Sequence, residues 1–378
     1  MSVAIGKLGP VQAISHLFRG VVLAGSLVAA TSAIAVPQAI DYVNPFVGTD
    51  GHGHTFPGPT VPFGMVQLSP DTRLDTWDGS SGYHLSDKTI LGFSHTHLSG
   101  TGVGCMGDIM LMPMIGDGKA ASRFSHANEI AKPGYYKVFL DDPKVTVELT
   151  STARAGFHRY TFPQSDRAHV LLDLIHGISN DPKDMYVKVE NPTTLSGYRK
   201  SGGWGGDRTV YFVVQLSRPA DAVRIEQNGT ILPSGSTEGK GRIRAYLDFG
   251  TKQGEVIQAK VGISATSVEG ARKNVTTEIP GWDFAAVRQA AAKQWSQALG
   301  NLTVESKDKS LLSTFYTNAY LSYIAPACST TWTARISAWT RRSTAMRSSR
   351  TTRRFPCGTP TVLCTRCSRS PSRTACRI

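Results

Sequence analysis

The feature that most constrains this chain is a change of composition near Ala327. The 52 residues from Ala327 to Ile378 contain 11 Arg, 19 Ser or Thr and 5 of the 6 Cys, but no Lys, Asp or Glu. The first 326 residues hold the other 30 basic residues and all 28 acidic ones, a net charge of +2. The chain's net charge of +13 is typical of a nucleic-acid-binding protein. Because that charge belongs almost wholly to the tail, we predict no nucleic-acid partner.

The composition of the tail is what GC-rich DNA yields when it is read in a shifted frame. Codons for CSTTWTARISAWTRRST, from Cys328, spell LFDDVDGQDLGMDKAVH when the register moves by one nucleotide. Codons for FPCGTPTVLCTRC, from Phe355, spell SLWDTYRALHPL in the same register. The alternative is an Arg/Ser-rich arm that binds nucleic acid, and Cys364-x-x-Cys367 would be only half of a zinc site. We predict that residues 327–378 are a frameshifted, disordered tail.

The N-terminus has the pattern of an export signal. Lys7 and Arg19 precede the apolar stretch Val21 to Ile34, and a small-x-small cleavage pattern ends at Ala35. The alternative is a membrane anchor, but the apolar run is shorter than the roughly 18 to 20 residues that a spanning helix needs. We expect cleavage after Ala35 and an exported protein, periplasmic or extracellular, with no membrane contact afterwards.

Short β-branched or aromatic runs dominate the region between residues 100 and 265. Eight of them are separated by turn signals: Asp108 to Ile115, Tyr135 to Leu140, Val145 to Thr150, Gly156 to Phe162, His169 to Leu174, Thr209 to Leu216, Gly241 to Phe249 and Val256 to Ser264. This spacing predicts an antiparallel β-sandwich. A helical period then appears in Trp282 to Leu299 and in Ser310 to Ile324. The chain is therefore predicted to be mainly β, with helices toward its end.

Two His-rich stretches are candidates for a functional site. One contains His52 and His54, and the other contains His95 and His97. A His-x-His pair on a strand puts both imidazoles on one face, where they could chelate a transition metal if a third residue such as Asp108 or His84 joined them. The alternative is that these histidines bond loop backbone around a cleft.

An aromatic residue lies between the two stretches, in the segment DTRLDTWDGSSGYH. Trp77 and Asp78 stand there among Gly, Asp and Ser. Such a loop is typical of sugar binding, because an indole face packs on the apolar face of a pyranose while carboxylates and hydroxyls bind its hydroxyl groups. The alternative is that the indole fills a small core of its own loop.

Several motifs together resemble the N-terminal domain of the glycoside hydrolase family 92 α-mannosidases. They are DYVNPFVGTDGHGHTFPGPTVPFGMVQLSPDT, WDGSSGYH, GFSHTHLSGTGVGCMGDI, PGYYKVFL, VELTSTARAGFHRYTFP, SGYRKSGGW and VGISATSVEGARKNV. The resemblance runs from about Ile40 to Pro326. The two strings hidden in the shifted frame also resemble the next part of the sequence in that family.

The resemblance implies a β-sandwich at 36–275, a helical linker at 276–308 and, at 309–326, the first helix of a truncated (α/α)6 barrel. It implies calcium-dependent, inverting removal of terminal α-linked mannose from N-glycans or mannans, by two carboxylates roughly 6.5 to 9.5 Å apart. In the family both carboxylates come from the barrel, so no catalytic residue or calcium ligand is assigned here, no cofactor is expected to bind this chain, and the chain is expected to be inactive. The alternative function is that of a stand-alone carbohydrate-binding module.

Four residues match the family's motifs near the sugar. Trp77 matches a tryptophan whose loop reaches over the mouth of the barrel and contacts the sugar on the leaving-group side. Asp78, His95 and His97 lie in matching motifs near the domain interface and are assigned supporting roles. We therefore predict that Trp77, Asp78, His95 and His97 bind an α-mannoside glycan.

Overall fold

The computed structural model describes residues 38–204 and 206–325, and all of them belong to one compact unit. The predicted signal peptide (1–35) and the predicted disordered tail (327–378) lie outside the described residues. Within those residues, the helices are too short or too polar to cross a membrane.

In the described residues, eighteen strands form two large antiparallel sheets and one small one. In chain order they are β1 Ser69–Asp71, β2 Thr89–Ile90, β3 Gly92–Ser94, β4 Met110–Ile115, β5 Ser122–Arg123, β6 Ile130–Lys132, β7 Tyr135–Leu140, β8 Val145–Ser151, β9 Ala155–Phe162, β10 Ser165–Asp173, β11 Asp181–Asn191, β12 Thr194–Gly202, β13 Arg208–Leu216, β14 Ala222–Gln227, β15 Thr230–Ile231, β16 Glu238–Lys240, β17 Ile243–Thr251 and β18 Glu255–Ser264. One sheet has the order β1-β3-β4-β10-β17-β14-β15 and another β16-β11-β12-β13-β18-β9-β8-β7-β6, while β2 pairs with β5.

The two large sheets share one apolar core. Strand β17 shows the alternation that this requires, with Ile243, Ala245, Leu247 and Phe249 buried and the residues between them more exposed. These side chains belong to the same buried cluster as residues of the nine-stranded sheet, such as Phe212. Each large side chain buried in this way contributes roughly 1.5 to 3 kcal/mol to folding. The predicted antiparallel β-sandwich is confirmed.

Longer strands with an apolar core face were predictable, and short or more polar strands were not. Strand β7 has the predicted bounds, and all eight predicted runs overlap a strand. Strands β11 and β12 were missed because polar residues such as Lys183, Asp184 and Lys188 interrupt their sequences. Those strands are held by backbone pairing in a register that joins Val187 to Gly197.

Up to residue 325, where the described part ends, three α-helices follow the sandwich, and each begins at a side chain that caps its free N–H groups. They are α1 Val268–Glu278, α2 Phe284–Leu299 and α3 Lys309–Ile324, with caps at Ser267, Asp283 and Asp308. The predictions of α2 and α3 are confirmed. Helix α1 was not predicted, and the boundary expected between sandwich and linker at residue 275 falls within it.

Helices α2 and α3 pack against the segment that precedes β1. The fully buried indole of Trp295 donates from Nε1 to the carbonyl oxygen of Thr60 at 2.7 Å. The backbone N–H of Asn44 donates to Oγ1 of Thr317, and that of Phe63 to the carbonyl oxygen of Tyr323. These bonds hold residues 39–64, which include the first His-rich stretch, against the helices.

Candidate functional site

Trp77 lies on the loop between β1 and β2, and 55% of its surface is exposed. Thr76 before it has a positive φ of 66°, a conformation that few non-glycine residues adopt. Behind it, Ser80 donates from its backbone N–H to the carbonyl oxygen of Trp77 and from its hydroxyl to that of Thr101 at 2.6 Å. The loop therefore holds the indole at the surface rather than in a core of its own.

Two histidines from the first His-rich stretch support the indole. The ring of His54 meets that of Trp77 edge-on, with centroids 4.5 Å apart, and the ring of His52 is tilted at 4.7 Å. On another side the indole packs against Gly102, where an added Cβ would overlap Nε1 of Trp77. The orientation of the exposed ring is therefore fixed by its neighbours.

Asp78 is the charged group beside this ring. Its Oδ1 lies 2.7 Å from Nδ1 of His52 and 3.7 Å from Nε2 of His54. The hydrogen bond from His52 lowers the pKa of Asp78, so the carboxylate is ionised at neutral pH. Asp78 therefore offers a negatively charged acceptor at the edge of the aromatic surface.

His54 combines a strained backbone with a buried, unsatisfied side chain. Its φ is 53°, and its carbonyl oxygen accepts from the N–H of Gly100 at 2.8 Å. The Nε2 atom of His54 is buried without a hydrogen-bond partner. A buried imidazole nitrogen without a partner is uncommon, and Asp78 is the carboxylate closest to it.

The structure places His95 and His97 away from Trp77, in the interior. Both rings are fully buried. The Nδ1 atom of His95 donates to the carbonyl oxygen of Ile109 at 2.6 Å, and that of His97 to the carbonyl oxygen of Gln67 at 2.6 Å. Neither ring has exposed surface to offer a ligand, and their predicted part in sugar binding stays a prediction.

A buried carboxylate anchors His97. Asp71 accepts from His97 Nε2 and from His176 Nε2, each at 2.8 Å. Burial by itself would raise the pKa of Asp71, but the two neighbouring imidazoles outweigh it and lower that pKa. This network ties the end of β1 to the second His-rich stretch, and thereby fixes where the Trp77 loop begins.

Neither residue suggested as the third ligand of a His-x-His metal site has that role. Asp108 is fully buried and binds Arg199 at 2.6 Å and Arg208 at 2.9 Å. His84 bonds Ser86 and the carbonyl oxygen of Gly51. In residues 38–204 and 206–325, the His, Cys, Asp and Glu side chains that converge in a group of three are His52, His54 and Asp78.

That group does not suit the calcium ion expected of the intact family. Calcium takes six to eight oxygen ligands, whereas these three residues offer two nitrogens and one carboxylate. We therefore assign no calcium ligand among them. Both histidines were noted in the sequence, but no sequence signal connected them with Trp77 and Asp78, some 25 residues away.

Comparison with known proteins identifies the family. The model of the glycosyl hydrolase family 92 N-terminal domain matches residues 42–264, and that of the family 92 catalytic domain matches residues 270–351. The chain belongs to glycosyl hydrolase family 92. The second match continues beyond the change of composition at residue 327, so the reading-frame shift stays a prediction.

Individual relatives agree with this assignment. A family GH92 α-mannosidase from Bacteroides thetaiotaomicron superposes with a TM-score of 0.76 at 36% identity, covering 79% of this chain and 43% of that one. A family GH92 inverting mannosidase from the same species gives 0.69 at 27% identity, covering 77% and 40%. An uncharacterized secreted glycosidase from Arthroderma benhamiae is 29% identical over 342 residues, 80% of this chain and 43% of that protein. The chain thus spans about two fifths of the length of these relatives.

Proposed function

We propose that this chain is the N-terminal sandwich and helical linker of an exported exo-α-mannosidase that removes terminal α-linked mannose from N-glycans or mannans. In this proposal hydrolysis is inverting and calcium-dependent. Family membership supports the proposal, as do the similarity to two solved mannosidases and to a protein described as a secreted glycosidase. The observation that carries the sugar-binding part is the exposed, fixed indole of Trp77 with the ionised carboxylate of Asp78 beside it.

The Trp77 surface has the chemistry that a pyranose needs. The C–H face of a sugar ring packs on an indole, and the ring's hydroxyl groups donate to a carboxylate. Because His52 and His54 already hold the indole, little side-chain entropy is lost when the sugar binds. In our proposal this surface contacts the sugar on the leaving-group side, while His95 and His97 support the loops from within.

We propose that the pair of carboxyl groups used in inverting hydrolysis does not come from the described residues. A general acid at neutral pH needs a raised pKa. In the described part of the chain, the carboxyl groups with a displaced pKa are Asp71, Asp78, Asp108, Asp142 and Asp207, and all five are displaced downward. We therefore propose that both catalytic carboxylates come from beyond residue 326 of an in-frame product, and that the 378-residue polypeptide is inactive.

The test compares two proteins on one substrate. The 378-residue chain and the product of a gene whose frame is restored after residue 326 are each incubated with α1,2-mannobiose in calcium-containing buffer. Mannose release by the restored protein alone is expected. Release by the 378-residue chain would disprove its inactivity, and no release by a folded restored protein would disprove the proposed activity.

The exposed Trp77 surface also favours a second candidate, a stand-alone carbohydrate-binding module. In that case the 378-residue chain itself should bind mannose or mannobiose, since Trp77 and Asp78 are already in place without a barrel. Isothermal titration distinguishes the candidates. Binding heat that saturates at millimolar sugar supports the carbohydrate-binding module. Without such heat, the enzyme fragment is the one candidate that is left.

A further inference from the structure

We propose that His52, His54 and Asp78 form a binding site for a divalent transition-metal ion, best suited to zinc. One ring nitrogen of His52, one of His54 and a carboxylate oxygen of Asp78 all lie within 4.8 Å of one another. Two imidazole nitrogens and one carboxylate are a common ligand set for catalytic or accessible zinc. This inference does not depend on the proposed hydrolytic function.

The unsatisfied nitrogen of His54 is independent evidence for a missing ligand. The side chain of His54 is 6% exposed, and its Nε2 is buried without a hydrogen-bond partner. Oδ1 of Asp78 lies 3.7 Å from that atom, which is too long for a hydrogen bond. A cation between the two atoms would satisfy both of them.

The spacing of the ligand atoms needs only a small adjustment. Zinc bonds to nitrogen and oxygen are about 2.0 to 2.2 Å long, which sets tetrahedral ligand atoms roughly 3.3 to 3.5 Å apart. The distances from Asp78 Oδ1 to His52 Nδ1 and His54 Nε2 are 2.7 and 3.7 Å, on either side of that value. The side chain of His52 is 69% exposed, so a shift of about half an ångström relative to Asp78 requires no repacking of the core.

The surroundings hold the ligand His54 in place and leave the site open to solvent on the side of His52. His54 is held by its backbone bond from Gly100 and by the edge of Trp77. On the His52 side the cluster faces solvent, so a water or a hydroxyl group could complete the coordination. Bound zinc would tie residues 52 and 54 to residue 78, and would thereby restrict the motion of the Trp77 loop.

The ligand types determine the expected selectivity. Imidazole nitrogens suit Zn²⁺, Cu²⁺, Fe²⁺ and Ni²⁺, whereas Ca²⁺ requires many oxygen ligands. Zn²⁺ should therefore bind where Ca²⁺ does not, and this difference separates the proposed site from the calcium site of the family.

The experiment uses the full chain with the cysteines after residue 326 replaced by serine, because thiolates also bind zinc. The replaced residues are Cys328, Cys357, Cys364, Cys367 and Cys376. After treatment with a chelator, this parent is titrated calorimetrically with Zn²⁺ and, separately, with Ca²⁺. One equivalent of Zn²⁺ should bind, and Ca²⁺ should give no saturable heat.

Two ligand variants and one matched control complete the test. His52→Ala removes an exposed ligand without a risk to folding, and His54→Asn keeps a residue type that tolerates positive φ. Each should weaken Zn²⁺ binding at least about tenfold. His126→Asn is the control, because His126 is also a partly exposed histidine paired with a carboxylate, that of Glu129, and this variant should bind like the parent. Absence of Zn²⁺ binding in the parent, or unchanged affinity in both ligand variants, would overturn the proposal.

Discussion

The Nε2 atoms of His95 and His158 lie 3.0 Å apart in the interior, and one pair of tautomers satisfies all of their neighbours. The carbonyl oxygen of Ile109 accepts from Nδ1–H of His95, which leaves Nε2 of His95 as an acceptor. His158 therefore donates from Nε2, and its Nδ1 accepts from the hydroxyl of Tyr160 at 2.8 Å. Both imidazoles are neutral in this chain of bonds.

The stability of the protein should decrease in mildly acidic solution. Burial lowers the pKa of His95 to about 4, and burial together with His95 lowers that of His158 well below its ordinary value. Between the two pKa values, a histidine in the unfolded chain, with a pKa near 6.5, binds a proton, whereas the same histidine in the folded protein stays neutral. The free energy of unfolding should therefore fall as the pH drops from about 6.5 to about 4, by on the order of 3 kcal/mol for His95 alone.

Urea unfolding at a series of pH values measures this effect. His158→Gln keeps a donor toward His95 but cannot titrate, so its slope against pH should be smaller than that of the parent. An unfolding free energy that is constant between pH 6.5 and 4.5 would contradict the neutral pair.

Asp108 should be essential for stability rather than for metal binding. Burial would raise the pKa of Asp108, but Arg208 and Arg199 lower it, and both guanidinium groups bond its carboxylate in the interior. Asp108→Asn leaves two buried cations without a counter-charge, which costs about 3 to 5 kcal/mol. Chemical unfolding of the variant measures this loss.

Asp142 provides the matched control for Asp108. Its pair with Arg123 has a similar distance of 2.7 Å but lies at the surface, where ion pairs contribute roughly 0 to 1 kcal/mol. Asp142→Asn should therefore leave stability nearly unchanged. Equal losses in the two variants would show that burial does not determine the contribution of these ion pairs.

Removal of the Trp77 indole should weaken sugar recognition and leave the fold intact. In the frame-restored protein, Trp77→Ala should lower kcat/KM for α1,2-mannobiose by roughly fivefold to tenfold, as expected for an aromatic contact of about 1 kcal/mol. Trp204, which is 53% exposed, supplies the control, since Trp204→Ala removes a similarly exposed indole from a different segment of the chain. The same loss in both variants would argue against a specific role for Trp77.

The orientation of the indole can be tested without its removal. Gly102→Ala places a Cβ against Nε1 of Trp77, so the ring must shift and sugar recognition should weaken to a similar extent. Gly118→Ala is the control, because a Cβ there meets nothing within 4 Å. Unchanged kinetics in Gly102→Ala would mean that the ring position seen here is not the one that binds sugar.

The longer apolar strands, helices α2 and α3, the family and the residues Trp77 and Asp78 could be recognised from the sequence, whereas the contacts that assemble the site could not. Strand β7 and helix α2 have the periodicity and the turn signals that sequence rules use. Trp77 contacts His52 and His54 on one side and Gly102 on the other. No local sequence rule connects these positions.

The histidines show the limit of motif reasoning most clearly. His52-x-His54 and His95-x-His97 have the same spacing, yet the first pair lies beside an exposed tryptophan and the second is enclosed in the core. The difference arises from tertiary packing: Phe56 and the network of Asp71 enclose His97, whereas His52 stays largely exposed.

The bond between Asn44 and Thr317 joins positions 273 residues apart. The N-terminal part of the described chain therefore gains these native partners only when helix α3 is in place. Pairings between such distant positions slow folding. A chain without α3 would leave the backbone N–H groups of Asn44 and Phe63 without these partners. The N-terminal segment is thus stabilised by residues that lie almost the whole length of the domain further along the chain.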